Sequence, residues 1–383
     1  MEATIGGTRR HLVDVCAGQL ARGLDVHLAV ATSRDPDFSG DLEQLKSQGA
    51  VVHLLPMVRE IRPLRDAADF RSLCRLLRET RPDIVHTHSS KAGVLGRCAS
   101  IWTRIGTRVH TPHTFAFLFG ALFGPAKRAL FRNLEKTLSR WTSRVLAVSP
   151  TEAETFRASG VVPADRIRVV SNGIDPGRFE TAAALDVATL GLDPAKPLAA
   201  VIGLVYAAKG QDLALDALTG EGCEDVQLLL VGPGELDQLR EQVERNSLGS
   251  RVKILGARRD VPEILAAVDF LILPSRWEGM PYIVLEAMAS RRPVVATPVD
   301  GALDLVADGV TGVLCATIDA PSLSLAIASM LGCSEAERQS MGQRGFDRLI
   351  ATYTIDRMVE AMITIYREAH EAPEAKQAEG ASL

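Results

Sequence analysis

Short apolar runs recurring between helix-length segments constrain this chain more than any other feature. Phe270-Leu271-Ile272-Leu273, closed by Pro274, is too short for a helix and reads as a buried strand. Further strands read at 199–202, 226–231, 253–255 and 294–296. Helical segments lie among them at 211–218, 236–246, 261–266, 283–289 and 322–330. The earlier part keeps the same rhythm, with strands at 25–31, 51–55, 83–86, 108–111 and 144–148 and helices at 9–22, 41–48, 67–80 and 91–103. Helix 67–80 spaces Phe70, Leu73, Leu76 and Leu77 along one face. Strand, helix and strand in alternation imply a parallel sheet with crossover helices. The expected class is α/β with two domains of parallel sheet and crossover helices, 1–173 and 174–352, joined through a linker at 174–196. A last helix is expected within 353–370, and the Ala/Glu-rich tail 371–383 reads as disordered.

Composition adds bounds. At 383 residues the chain has ample length for two cores. No apolar run is long enough to span a bilayer and no signal peptide is visible, so a cytoplasmic protein is expected. The six cysteines, Cys16, Cys74, Cys98, Cys223, Cys315 and Cys333, are scattered without a C-x-x-C pair, which argues for reduced thiols and against a cysteine zinc site.

The net charge of −4 hides an asymmetry: residues 1–185 carry +8 and residues 186–383 carry −12. A basic first half suggests an anionic partner, although no nucleic-acid partner is expected. The sharpest basic stretch is 115–144. It opens with Phe115, Phe117, Leu118, Phe119, Leu122 and Phe123. Lys127, Arg128, Arg132, Lys136, Arg140 and Arg144 follow, against a single Glu135. Two readings stay open: a helix lying on the anionic inner face of the cytoplasmic membrane, or a buried aromatic loop followed by a solvated helix face.

Chemistry concentrates after the strand at 270–273. In Glu278-Gly279-Met280-Pro281-Tyr282-Ile283-Val284-Leu285-Glu286, Gly279 and Met280 lie just ahead of a helix, where backbone N–H groups and the helix dipole favour an anion. Glu286, about a turn into that helix, can accept hydrogen bonds from vicinal hydroxyls, and Glu278 stands over the same mouth. A nucleotide diphosphate sugar fits that arrangement; taken alone, a helix cap and a surface glutamate fit it too. Lys209, between a strand and the helix opening at Gly210, is a natural cation for a diphosphate. His113 follows a strand and Pro112, which puts it at a sheet's carboxyl edge, where α/β ligands bind. His86, His88 and His113 have no Asp, Glu or Cys at metal-ligand spacing, so they read as hydrogen-bonding groups and no metal is expected. Asp35-Pro36-Asp37 is read as turn chemistry, and Gly232-Pro233-Gly234 lacks the third glycine of a dinucleotide fingerprint.

These residues resemble the Glu-x7-Glu motif and its companions in glycosyltransferase family 4, the retaining enzymes of the GT-B fold. The resemblance takes in Gly6-Gly7-Thr8-Arg9-Arg10-His11, the segments 83–93 and 111–113, Ser171-Asn172-Gly173-Ile174-Asp175 and Lys209-Gly210, in the family's order over residues 3–370. It implies two Rossmann-like domains facing a central cleft, with the C-terminal helix crossing back to the N-terminal domain. It implies that His113, Glu278 and Lys209 are catalytic. Donor contacts would come from Gly6, Gly7, Gly203, Lys209, Arg258, Gly279, Met280 and Glu286, and acceptor contacts from His86, His88 and Lys91. The implied reaction is metal-independent and cofactor-free. A sugar passes with retention from a nucleotide diphosphate sugar, UDP favoured over GDP-mannose, to a saccharide or lipid-linked saccharide. Same-face attack would give retention, with the leaving phosphate taking the acceptor's proton. Two alternatives stand beside it: a nucleotide-sugar 2-epimerase on the same fold, and a catalytically impaired nucleotide-binding or scaffold protein.

Three departures from the family pattern matter. Leu204 stands where an arginine usually follows the glycine at 203, removing one phosphate cation; Arg276, Arg9 and Arg10 are candidates to compensate. Arg291 stands where the family usually has glycine. Only residues 1–5 precede the first glycine loop, so the first strand is either very short or begins upstream.

Overall fold

The computed structural model describes residues 6–32, 38–58, 60–118 and 123–371. The expected first strand at 1–5, the Asp35-Pro36-Asp37 turn, Phe119, Leu122 and the tail from 372 lie outside the described residues. The chain divides into two compact units, Met1–Ser171 with Asp356–Leu383, and Asn172–Ile355.

In the first unit, β1 (His27–Val30) pairs in parallel with β2 (Val51–Leu54). A four-stranded parallel sheet follows, in the order β3 (Ile84–His88), β4 (Thr107–Thr111), β5 (Arg144–Ala147), β6 (Ile167–Val169). The helix Gly7–Leu20 sets Leu12 and Cys16 against Val26, Leu28, Val30 and Phe38. Phe115 and Phe117 sit in the core with Val145, Ala147, Phe156 and Ile167, so these two rings are part of a buried aromatic loop. The basic helix after them, Pro125–Ser139, leaves most of its surface to solvent, including Leu130 and Leu134. It is fastened by a buried ion pair: Arg97 donates to both Glu135 carboxylate oxygens at 2.9 and 2.8 Å and to the Gly93 carbonyl at 2.9 Å. The helix Ile355–Glu371 buries Met358, Val359, Met362, Ile363, Ile365 and Tyr366. Gln19 donates to Tyr366 at 3.2 Å and Arg22 pairs with Asp356 at 2.8 Å. Its apolar stripe lies against the first unit although its sequence follows the second.

The second unit holds β7 (Leu198–Ile202), β8 (Gln227–Val231), β9 (Val252–Gly256), β10 (Phe270–Leu273), β11 (Val294–Ala296) and β12 (Gly312–Leu314). All pairings are parallel and the order is β12-β11-β10-β7-β8-β9. Every residue of β8 and β10 is buried, as expected of strands covered on both faces. Counted within the unit, the order is that of a doubly wound sheet. The first and fourth strands, β7 and β10, lie side by side at the point where the winding reverses. Ligands of such sheets bind in the crevice beyond the carboxyl ends of those two strands. The chain enters and leaves the unit side by side, with Ile174 N–H donating to the Tyr353 carbonyl at 3.0 Å.

Several elements depart from expectation, among them the helix Pro150–Ser159, which the sequence reading lacks. β6 and β12, three residues each, carry too little pattern to read as strands. The helix Glu335–Thr352 is absent from the sequence reading, although Ser334 and Glu337 form a capping box at its start. Among the described residues, no helix is long and apolar enough to cross a membrane.

Candidate active site

In the second unit, the turn after β7 and the loop after β10 carry the expected donor residues to the switch point. Gly210 opens the helix Gln211–Ala217 at φ 66°, and a Cβ there would lie 2.0 Å from the Pro274 carbonyl oxygen. No side chain fits that approach, so glycine fixes the distance between turn and loop. Across this junction Lys209 Nζ donates to Glu278 Oε1 at 2.6 Å, and Ser275 Oγ donates to the same oxygen at 2.8 Å. Burial pulls the Lys209 ammonium towards its neutral form, but Glu278 outweighs it and the net displacement is upward, so Lys209 stays charged.

Leu204 is half-buried in the same turn. The three arginines that could replace its missing charge are engaged. Arg9 pairs with Asp41 at 2.8 Å and Arg10 with Asp14 at 3.4 Å. Arg276 forks onto Asp212 at 2.8 and 2.6 Å and donates to the Ala207 carbonyl at 2.8 Å. Of these, Arg276 is the one held two residues from Lys209.

The helix Tyr282–Ala289 starts behind Gly279 and Met280, and its N-cap is Pro281, which offers no side-chain acceptor to the first turn. Met280 is buried and accepts from Asn172 through its carbonyl at 3.0 Å. Asn172 thus ties the segment that enters the unit to the loop ahead of this helix. Glu286 is half-buried within the helix. Gly203 ends β7 beside Lys209. Arg258, just after β9, forks onto Asp260.

In the first unit, the carboxyl ends of β3 and β4 gather histidines. His86 is saturated, with Nδ1 at 2.6 Å from Tyr366 Oη and Nε2 at 2.8 Å from Thr111 Oγ1. His88 Nδ1 lies 3.2 Å from His113 Nε2. Burial first, then the neighbouring imidazoles, hold His88 and His113 well below the usual histidine range, and His86 is lowered to about 3. All three are therefore neutral at pH 7. His113 and Thr114 both have positive φ, 52° and 77°. For a β-branched threonine this is strained backbone, and its hydroxyl is anchored on the Glu152 carboxylate at 3.2 Å. Lys91 is spent locally, donating to the Val58 and Glu60 carbonyls at 2.8 and 2.6 Å and pairing with Asp66. The glycine loop, Gly6 at φ 84° and Gly7, opens the first helix. Sequence reasoning missed His11, one turn into that helix, whose ring packs 4.9 Å from that of His113. Its position four residues after Gly7 was the available signal.

Two family profiles match the chain: Glycosyltransferase Family 4 over residues 5–178 and Glycosyl transferases group 1 over residues 196–333. The UDP-Gal:alpha-D-GlcNAc-diphosphoundecaprenol alpha-1,3-galactosyltransferase of Escherichia coli is 30% identical over 286 residues, 72% of this chain and 73% of that protein. The alpha-D-kanosaminyltransferase of Streptomyces kanamyceticus is 25% identical over 302 residues, 74% of this chain and 77% of the other. Among solved structures, Anabaena HepE with UDP and glucose superposes at TM-score 0.79 and 23% identity, covering 95% of this chain and 97% of that one. WaaG, a glycosyltransferase involved in lipopolysaccharide biosynthesis, superposes at 0.72 and 18% identity, covering 95% and 97%.

Proposed function

The chain belongs to glycosyltransferase family 4, and from that premise we propose that it moves a sugar, with retention and without a metal, from a UDP-sugar to a lipid-linked saccharide. The observation that carries the donor half is the Lys209–Glu278 pair at the switch point between β7 and β10. A diphosphate at that place meets an ammonium that is charged, positioned by a carboxylate and set beside the N-terminus of the helix Tyr282–Ala289. Glu286 takes the ribose hydroxyls, while Gly203 and Arg258 line the nucleotide's surroundings. Leaving-group charge builds on the diphosphate, and Lys209 stabilises it more strongly in the transition state than in the ground state.

On the first unit, His113 holds the donor sugar as a neutral hydrogen-bonding imidazole, and Gly6 and Gly7 allow close backbone approach. As the family resemblance implies, the acceptor's proton goes to the leaving phosphate. The preference for UDP and for a lipid-linked acceptor draws support from the name of the Escherichia coli relative. A peripheral attachment to the inner membrane face would use the helix Pro125–Ser139, where Leu130 and Leu134 stand exposed among Lys127, Lys136 and Arg140. Since Phe115 and Phe117 are buried, they are not the anchor. Vesicle flotation at low salt should show binding that needs anionic lipid; indifference to such vesicles would leave the helix a solvated face.

Calorimetry against UDP, GDP and ADP tests the donor assignment. UDP should bind tightest, and product anomers read by NMR should retain the donor configuration with chelator present. Tighter GDP binding would overturn the base assignment. Donor consumption without acceptor would turn the reading to the epimerase, and binding without turnover to the scaffold.

A further inference from the structure

Three imidazoles converge in the first unit. His11 comes from the helix Gly7–Leu20, His88 ends β3 and His113 follows β4. One ring nitrogen from each lies within 4.8 Å of the other two. The ring centroids form a triangle of 5.6 Å (His11–His88), 4.9 Å (His11–His113) and 5.4 Å (His88–His113). With a zinc–nitrogen bond of about 2.1 Å and a centroid about 1.1 Å beyond the nitrogen, tetrahedral imidazole ligands place their centroids about 5.2 Å apart. The three sides bracket that value. His86 falls outside the set. Its ring is 4.1 Å from that of His88 and both its nitrogens already have partners in Tyr366 and Thr111.

We propose that His11, His88 and His113 form a three-imidazole site for a zinc-type divalent cation, leaving one coordination position open. All-nitrogen donors on a borderline ion suit zinc, cobalt, nickel or copper and not magnesium or calcium. His88 Nδ1 and His113 Nε2 at 3.2 Å are already at the separation that two ligands of one tetrahedral ion require, about 3.4 Å. His11 and His88 are buried, so they need no large ordering step to bind. The cation is not a catalyst here. It would draw His113 away from the sugar, so the site is inhibitory, and this consequence rests on the assignment of His113 to the donor sugar.

The test uses the full chain stripped of metal with a chelator and titrated with cobalt chloride. One equivalent should bind with the intense visible bands of tetrahedral cobalt. The near-ultraviolet band that a thiolate ligand adds should be absent, which separates this site from the six cysteines. His11→Gln should weaken binding by at least about tenfold, the lower end of losses seen even for outer-shell partners. His113→Gln, on a partly exposed loop, should do the same and guards against a folding defect at buried His11. Absent visible bands, or bands unchanged in both variants, overturn the site. A second arm adds zinc chloride to sugar transfer and then restores it with chelator. If cobalt binds and zinc leaves transfer untouched, the assignment of His113 to the sugar fails while the metal site stands. If cobalt does not bind, the metal site alone falls.

Discussion

At the scale of the residue, Lys209 and Arg291 show how single side chains reconcile departures from the family pattern. Leu204 removes a charge, and under the proposed function Lys209, held by Glu278, carries the diphosphate load. Lys209→Ala should lower sugar transfer by about 100-fold or more, the usual loss when one preorganised charge-stabilising donor goes. Leu204→Arg should tighten UDP binding; weaker binding would mean the turn is built around leucine. Both are read from the same calorimetric and turnover assays. Arg291 occupies a position where the family prefers glycine, and its φ of 54° explains that preference. It stays there with its guanidinium 3.8 Å from the Phe346 ring centroid and bonded to Glu180 at 3.0 Å. Arg291→Gly loses those contacts but relieves the backbone, whereas Arg291→Ala loses them and keeps the strain. The alanine variant should therefore be less stable than the glycine variant by about 1 kcal/mol in denaturant melts. The reverse order would mean that the left-handed turn is not strained.

At the scale of the element, the pairing of helices with turns decides what was legible. The strand at 270–273 could be read because it is a local pattern, an apolar run closed by proline, whereas the glutamates at 278 and 286 and the lysine at 209 stood out only beside the other motifs of the family. Strands β6 and β12 could not, since three residues at a sheet edge leave no period. The partner of Lys209 was also hidden. Nothing in the spacing says that Glu278, sixty-nine residues on, meets it at 2.6 Å, because that depends on β7 and β10 being neighbours. The single Glu135 in the basic helix is another such case, its meaning supplied only by Arg97 on the helix Ser90–Thr103. Arg97→Met should cost about 3–5 kcal/mol in chemical denaturation, because Glu135 is left buried and unpaired. Arg97→Met with Glu135→Leu should recover most of that loss. A single variant as stable as wild type would show that the pair is hydrated in solution.

At the scale of the whole molecule, the buried histidines govern the response to acid. His86, His88, His110 and His113 all have folded values below the ordinary 6.5, His86 at about 3, with burial as the first cause in each. An unfolded chain binds protons on these groups as pH drops below 6.5, and the folded chain does not. Stability is therefore full above that value and is lost progressively as pH falls towards the folded values. Each imidazole can contribute a slope of about 1.4 kcal/mol per pH unit inside that window. Thermal melts between pH 7 and pH 5 should show a decline well above the carboxylate range, reduced in His110→Gln. A flat profile would mean that the histidines take up protons while folded.

The helix Ile355–Glu371 completes a unit whose other strands lie before residue 172, and this sets a timetable for the chain's synthesis. A ribosome delivers β1 to β6, then the whole of the second unit, and only afterwards the stripe from Met358 to Tyr366 that covers Gln19 and meets His86. Until then the first unit waits with an uncovered apolar groove and a histidine lacking its tyrosine. A frame-shift or early stop before residue 355 therefore injures the first unit, and nascent chains halted there are the ones that should gather chaperones.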